Sequence, residues 1–516
     1  MSTSVEGRWL VPESWLWCYA KDIAKVIGGG TPSTKDETNF SSKGIPWLTP
    51  ADLSDYNGIY IKAGRRDISE KGFHESSARL LPKGTVLFTS RAPIGYCVIA
   101  ENPITTNQGF KSLVLESSID PEYIRHYLLN SKEYAESLAS GSTFKELSGR
   151  KTEKLKFPLP PLNEQRRIVA KIEELTAHSK RARAALDEVP TLIEQFKQSV
   201  LAAAFRGDLT ADWREKNPDV EPAEKLLERF IKDREIEYKQ QVQNFKSTRT
   251  RIPKLPKVSY QEGITLFPDS WITISVESAS IFIIDCLHST PKFVDSGEYC
   301  VDTNCIEPFK INWHTARKVT KEDFIKRASR LVPEGGDILF SREGTIGTAV
   351  KVPSDKRLCL GQRMMMFRFA RHVLPEYAEM YLQSPYFESQ YKSLITGTTS
   401  PHINIGEIRK LSFLVPPVDE QKQIISITRR YLAVCDSLLA ACSHGEVELE
   451  QLNQSILAKA FRGELVPQKP NDEPASVLLE RIRTEREKLE AAKKKKKRRT
   501  KNGPILSGNP EKPQQR

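Results

Sequence analysis

Apolar residues over 164–206 fall into a helical register. Ile168, Ile172, Leu175, Ser179, Ala182, Leu186, Val189, Ile193, Phe196, Val200 and Ala203 step alternately by four and three, and only Ser179 is polar. That spacing makes a seam for a partner helix. A second stretch keeps the register less cleanly, through Ile424, Thr428, Tyr431, Cys435, Leu438, Cys442, Gly445, Leu449, Leu452, Ile456 and Lys459. Glu164–Arg206 as one helix predicts a length of about 64 Å. Pro190, and His444-Gly445-Glu446 at the matching place, predict a kink or break in both. Arg206-Gly207 and Arg462-Gly463 predict glycine-capped helix ends. Ahead of each helix the pattern changes to short β-rich runs (Gly84–Phe88, Cys97–Ala100, Ser112–Leu115; Asp337–Phe340, Met364–Phe369) and one helical stretch (Pro121–Leu138; Pro375–Leu394). These predict mixed α/β globules.

The two halves are copies of one unit. Gln198-Ser-Val-Leu-Ala-Ala-Ala-Phe-Arg-Gly-Asp-Leu209 recurs 256 residues later as Gln454-Ser-Ile-Leu-Ala-Lys-Ala-Phe-Arg-Gly-Glu-Leu465, nine of twelve positions being identical. The same offset relates Pro160-Pro-Leu-Asn-Glu-Gln-Arg-Arg-Ile168 to Pro416-Pro-Val-Asp-Glu-Gln-Lys-Gln-Ile424, Gly141-Ser-Thr to Gly397-Thr-Thr, and Pro12-Glu-Ser-Trp15 to Pro268-Asp-Ser-Trp271. A weaker match, aligned with small gaps, pairs Leu87-Phe-Thr-Ser-Arg-Ala-Pro-Ile-Gly95 with Leu339-Phe-Ser-Arg-Glu-Gly-Thr-Ile-Gly347. Glu221-Pro-Ala-Glu-Lys-Leu-Leu-Glu-Arg229 and Glu473-Pro-Ala-Ser-Val-Leu-Leu-Glu-Arg481 repeat beyond the long helices. The helical parts align closely and the globular parts diverge. One scaffold is used twice under two different globules.

Charge changes this picture less than its total suggests. The chain carries a net charge of +12 over 516 residues, but residues 493–516 hold nine of those charges, leaving +3 for the rest. The body is nearly neutral, and DNA binding does not follow from charge. No apolar run approaches the ~18–20 residues of a membrane span. The eight cysteines form no CxxC pair, which excludes a zinc ribbon or redox motif and fits a reducing cytoplasm. Gly28-Gly-Gly-Thr-Pro-Ser-Thr-Lys35 lacks the closing Gly-Lys of a phosphate loop. Asn102-Pro-Ile-Thr105 lacks the second proline and aromatic of an amino-methyltransferase loop and reads as a turn. Cys300 and Cys305 read as buried thiols, and His288, His314 and His402 as structural.

Two divergent α/β units, each followed by a Pro-Pro-x-Asn/Asp-Glu-Gln helix start and an Ala-Phe-Arg-Gly-Asp/Glu-Leu helix end, resemble the specificity subunit of type I restriction–modification enzymes over all but the basic tail. The resemblance implies α/β (α+β) target-recognition domains in two copies, separated by long helices that form an antiparallel coiled coil with pseudo-two-fold symmetry. It divides the chain into recognition domain 1 (1–159), helical region 1 (160–246), a basic Pro-containing linker (247–262), recognition domain 2 (263–415), helical region 2 (416–490) and a basic disordered tail (491–516). Each domain would read one half of a bipartite, asymmetric site on double-stranded DNA. Two modification subunits and two restriction subunits would do the chemistry in the cytoplasm of a prokaryote. S-adenosylmethionine, ATP and Mg²⁺ would belong to those partners, and this chain would hold no cofactor, no metal and no catalytic residue.

Candidate DNA contacts are Arg91, Asn107, Gln108 and Lys145 in the first copy, and Arg342, Gln362, Arg363, Ser400, His402 and Asn404 in the second. Arg91 and Arg342 are taken as matched, as are Asn107-Gln108 and Gln362-Arg363. Arginine suits guanine edges or phosphates, and Asn or Gln suits adenine; surface ion pairs and turn hydrogen bonds are the plainer readings. Residues shared by the two helices, Glu164, Gln165, Gln198, Phe205, Arg206, Glu420, Gln421, Gln454, Phe461 and Arg462, are expected to dock partner subunits. Two other readings compete: a coiled-coil scaffold with protein-binding globules, and a self-contained methyltransferase or nuclease, against which the missing motifs count.

Overall fold

A computed structural model describes residues 9–141, 145–245, 254–260 and 266–501. The Ser-Thr of the Gly141 motif, linker residues 247–253 and 261–262, and tail residues 502–516 lie outside the described residues. Six helices carry the argument: α1 (Pro121–Asn130), α2 (Leu162–Arg206), α3 (Ala223–Phe245), α4 (Pro375–Leu382), α5 (Val418–Arg462) and α6 (Ala475–Lys501). The chain divides into two compact units, Met1–Ala185 with His444–Arg516, and Leu186–Ser443.

Each unit is built on an antiparallel sheet of the same order. In the first, β1 (Ala24–Gly28), β2 (Val86–Ser90), β3 (Ile94–Ala100) and β4 (Lys111–Leu115) lie in the order β1-β4-β2-β3, with Tyr60–Ile61 added at the β3 edge. In the second, β5 (Ser280–Asp285), β6 (Ile338–Ser341), β7 (Ala349–Lys351) and β8 (Met364–Phe369) lie in the order β5-β8-β6-β7. The central strands β2 and β6 are buried along their whole length, including their polar ends at Thr89, Ser90 and Ser341. A second four-stranded sheet completes each globule. Short strands tie the ends of the globules at matched registers, Leu16 opposite Leu159 and Ile272 opposite Val415. The predicted helical stretches split, at Ser131 in the first unit and around Gln383-Ser384 in the second.

Neither long helix is broken. α2 and α5 are each 45 residues long and run through Pro190 and Gly445, against the expectation of a break there. Pro190 is exposed, so the carbonyl it frees has no need of a buried partner. The seam is buried in patches, at Ile168, Ile172, Ser179, Ile193 and Val200 on α2 and at Ile424, Thr428, Cys435 and Ile456 on α5, while Phe196, Leu438 and Leu452 are exposed. Helix α6 also runs past the expected start of a disordered tail, to Lys501. Alanine and lysine are good helix formers, so the basic run extends the helix.

Candidate nucleic-acid interface

The motifs shared by the two halves converge at one junction in each unit. Gln165 starts α2; its Oε1 accepts from the Asp120 amide at the N-cap of α1 (2.9 Å) and its Nε2 donates to the Pro160 carbonyl (2.9 Å). Gln421 does the same at the head of α4, accepting from the Leu374 amide (2.9 Å) and donating to the Pro416 (2.9 Å) and His372 (2.8 Å) carbonyls. The neighbouring glutamates reach the segment that follows the other long helix. Glu164 accepts from Gln468, beyond α5, and Glu420 accepts from Thr210 (2.8 Å) and Arg214, beyond α2. Burial pushes the Glu164 carboxyl above its ordinary value.

The helix ends are exchanged in the same sense. Phe461, at the end of α5, packs edge-on against Tyr123 and Tyr127 of α1, with centroids 5.6 and 5.1 Å away. Phe205, at the end of α2, meets Tyr377 and Tyr381 of α4 at 5.4 and 5.2 Å. The glycine after each helix adopts a left-handed φ, +78° at Gly463 and +86° at Gly207. A Cβ there would lie 2.4 Å from Pro12 or 2.5 Å from Pro268, the prolines that open the two Pro-x-Ser-Trp motifs. Both the conformation and the close approach require glycine.

Six of the ten expected docking residues, Glu164, Gln165, Phe205, Glu420, Gln421 and Phe461, are therefore inside their own unit, each at most 1% exposed. Their side chains are spent on the junction, and the docking expectation is corrected for them. Gln198, Arg206, Gln454 and Arg462 keep access to solvent. Gln198 and Gln454 each donate to a glutamate one turn back, Glu194 (3.0 Å) and Glu450 (3.4 Å), and Arg206 pairs with Asp208. An arginine clamp went unnoticed in the sequence. Arg234 of α3 donates to the Glu277 and Ser280 carbonyls (both 3.0 Å) behind the short helix Val276–Ala279, and Arg486 of α6 donates to the Lys21 carbonyl (2.6 Å) and pairs with Glu116. Burial holds Arg234 down to about 10. The repeated Glu-Pro-Ala motif, whose last arginine (Arg229 or Arg481) lies five residues before the clamp arginine, was the available signal.

The candidate DNA contacts gather where β2 and β6 end. In the first unit Arg91, Asn107 and Lys145 line one cleft of about 710 Å³ with Thr49, Pro50 and Glu146. Arg91 and Lys111 both approach Glu146 at 3.6 Å, and burial holds the Lys111 ammonium below its ordinary value. Asn107 turns its Oδ1 onto the Gly109 amide (2.9 Å), and Gln108 accepts from Thr31. In the second unit Glu343 accepts from Ser400 (3.1 Å) and pairs with Arg363 (3.5 Å), while the His402 Nδ1 lies 3.1 Å from the Ser400 carbonyl. Gln362 donates to Thr290 (3.2 Å), and Asn404 is exposed at the N-cap of a short helix.

Backbone hydrogen bonds correct two matched pairs. The Ser90 amide donates to the Gly109 carbonyl (2.7 Å) and the Leu147 amide to the Ser90 carbonyl (2.9 Å). In the second unit the Arg342 amide donates to Arg363 (3.3 Å) and the Ile403 amide to Arg342 (3.0 Å). Arg342 thus corresponds to Ser90, and Arg91 corresponds to Glu343; the gaps that aligned the two arginines do not exist. Likewise Gln108 corresponds to Gln362 and Gly109 to Arg363. Arg342 is only 8% exposed, and its guanidinium grips the Asp285 carboxylate at 3.1 and 3.3 Å. It braces the sheet, and its expected DNA contact is withdrawn. Cys300 and Cys305 are buried, as read from the sequence.

A duplicated α+β globule on long helices, with polar strand ends and unshared side chains there, defines a two-headed binding protein. Its family is the one whose sequence model, the type I restriction modification DNA specificity domain, matches residues 12–188 and 292–442, more than half of the chain. The chain belongs to that family. It is 28% identical over 466 residues to the type I restriction enzyme MjaIX specificity subunit of Methanocaldococcus jannaschii, covering 86% of this chain and 95% of that one. It is 24% identical over 504 residues to the EcoKI specificity subunit of Escherichia coli K12, covering 92% and 96%. The fold matches the crystal structure of the HsdS subunit from Thermoanaerobacter tengcongensis with a TM-score of 0.56 at 18% identity, covering 89% of this chain and 99% of that one. A chain from a structure of type I R-M complex assembly and conformational transition matches at a TM-score of 0.57 and 18% identity, covering 89% and 100%. The family's role is specificity, and catalysis lies with other subunits.

Proposed function

We propose that this chain directs a type I restriction–modification complex to a bipartite DNA sequence, each globule reading one half-site. The observation that carries this reading is one backbone platform, at the ends of β2 and β6, that presents different side chains in the two units. Identical readers would select a palindrome; unlike readers on one scaffold select an asymmetric site. Arg91, Asn107, Gln108 and Lys145 serve the first half-site, and Gln362, Arg363, Ser400, His402 and Asn404 the second. The two 45-residue helices act as the spacer, and their solvent-accessible Gln198, Arg206, Gln454 and Arg462 belong to the docking surface for two modification subunits, with two restriction subunits joining that core. S-adenosylmethionine, ATP and Mg²⁺ belong to those subunits, and the complex works in the cytoplasm of a prokaryote. The domain limits are those expected from the sequence, with the second helical region carried on to Lys501. Mapping methylated adenines in a genome that expresses this chain with a modification subunit tests the reading. One split motif with two unlike halves is expected; methylation at no defined sequence, or methylation by this chain alone, overturns it.

A further inference from the structure

The register that pairs Arg91 with Glu343 places opposite charges on one backbone position. The neighbouring position changes as well. Glu146 bridges Ser140 as His402 bridges Thr396, so Arg91 facing Glu146 at 3.6 Å becomes Glu343 near His402. In the second unit the lost positive charge returns from a third position. Arg363 stands where the first unit has Gly109, and its Nε approaches the Glu343 carboxylate at 3.5 Å. Arg363 holds a left-handed φ of +67°, a conformation that disfavours a side chain and that glycine adopts without strain. A strained arginine is thus kept beside a carboxylate at the position where the first unit has Arg91. Glu343 is also fixed by the Ser400 hydroxyl at 3.1 Å, so its orientation is set before any ligand arrives.

A carboxylate on a DNA-facing surface repels phosphates and cannot read guanine O6 or N7. It can accept from an exocyclic amine, N4 of cytosine or N6 of adenine. Arginine at the same place donates to guanine. We propose that position 91/343 sets base preference in each half-site, Arg91 selecting a guanine edge and Glu343 selecting a base that presents an exocyclic amine. This rests on the reading that the ends of β2 and β6 face DNA. Arg363 is a positioning residue: it holds the carboxylate and offsets its charge against the backbone.

The test uses the full chain assembled with a modification subunit, methylating a library of randomised duplexes. Wild type, E343Q, R363G and R91Q are compared, and thermal melting of each confirms folding. Glutamine both donates and accepts, so E343Q is expected to lower the preference at one base pair of one half-site by roughly ten-fold. The base lost there says whether the amine is that of cytosine or adenine. R363G relieves the strained φ and is expected to fold; it should alter preference at that same base pair. R91Q should relax a guanine in the other half-site only. A folded E343Q or R363G complex with unchanged preference overturns the proposal, as does an equal loss of methylation on every sequence. A wild-type complex without any sequence preference instead overturns the proposed function.

Discussion

Burial holds the His126 imidazole of α1 down to about 4, against 6.5 for a free histidine. The folded first unit keeps it neutral while an unfolded chain takes up the proton. Its contribution to stability is therefore complete above about pH 6.5 and is lost progressively as pH falls toward 4, by up to about 3 kcal/mol. H126Q should remove that share of acid sensitivity, read as a flatter dependence of melting temperature on pH between 7 and 4. Phe461 makes a sharper case. F461A empties a fully buried aromatic site against Tyr123 and Tyr127 and should cost about 3–5 kcal/mol. Hydrogen exchange should rise across 9–185 and stay unchanged across 205–443, because Phe205 fills the matching site of the second unit; a rise confined to the second unit would refute the exchanged docking. At this scale the sequence marked Glu164, Gln165 and Phe461 as important without showing for what. A residue shared by two copies is kept equally by a partner or by a buried junction, and spacing does not reveal accessibility. Arg342 misled for a related reason: its partner Asp285 lies 57 residues away.

The long helices were the most legible elements, because a seam that recurs every three or four residues is a local signal. Their continuity was not legible. Pro190 breaks a helix interior by rule, yet an exposed position in a helix anchored at both ends by buried junctions tolerates it. P190A should therefore stabilise α2, by an amount of order 1–3 kcal/mol, visible as slower amide exchange around residues 186–194. No change, or faster exchange, would show that the proline serves the fold there. Inserting four residues beside Pro190 lengthens the helix by about 6 Å. The nonspecific spacer in the methylated motif should then grow by one or two base pairs; an unchanged spacer removes the spacing role. Of the expected β runs, Met364–Phe369 is matched to the residue, but the two central strands are shifted by one or two, since Val86–Ser90 and Ile338–Ser341 end at polar residues that are buried and that hydrophobicity alone excludes.

For the whole molecule, the twofold repeat was read directly from the 256-residue offset, and with it the presence of two globules. The exchange of helix ends was not, since nothing local distinguishes Phe205 docking behind its own globule from Phe205 docking beneath the next. Replacing 263–415 with the corresponding domain of another family member should change one half-site and leave the other intact, as mapped by methylation. The new domain must supply tyrosines in the places of Tyr377 and Tyr381 to keep Phe205 buried; change in both half-sites would end the one-domain, one-half-site assignment. The crossed arrangement also sets an order on synthesis. Residues 186–443 form one unbroken stretch, so the second unit has all its parts as soon as that stretch leaves the ribosome. The first unit, although translated earlier, lacks Phe461, Gln468, Leu478 and Ile482 until the chain has grown by roughly 300 further residues. At 5–20 residues per second its apolar seat for α5 and α6 stays open for about 15–60 s, which makes the domain born first the one completed last and the natural client for a chaperone.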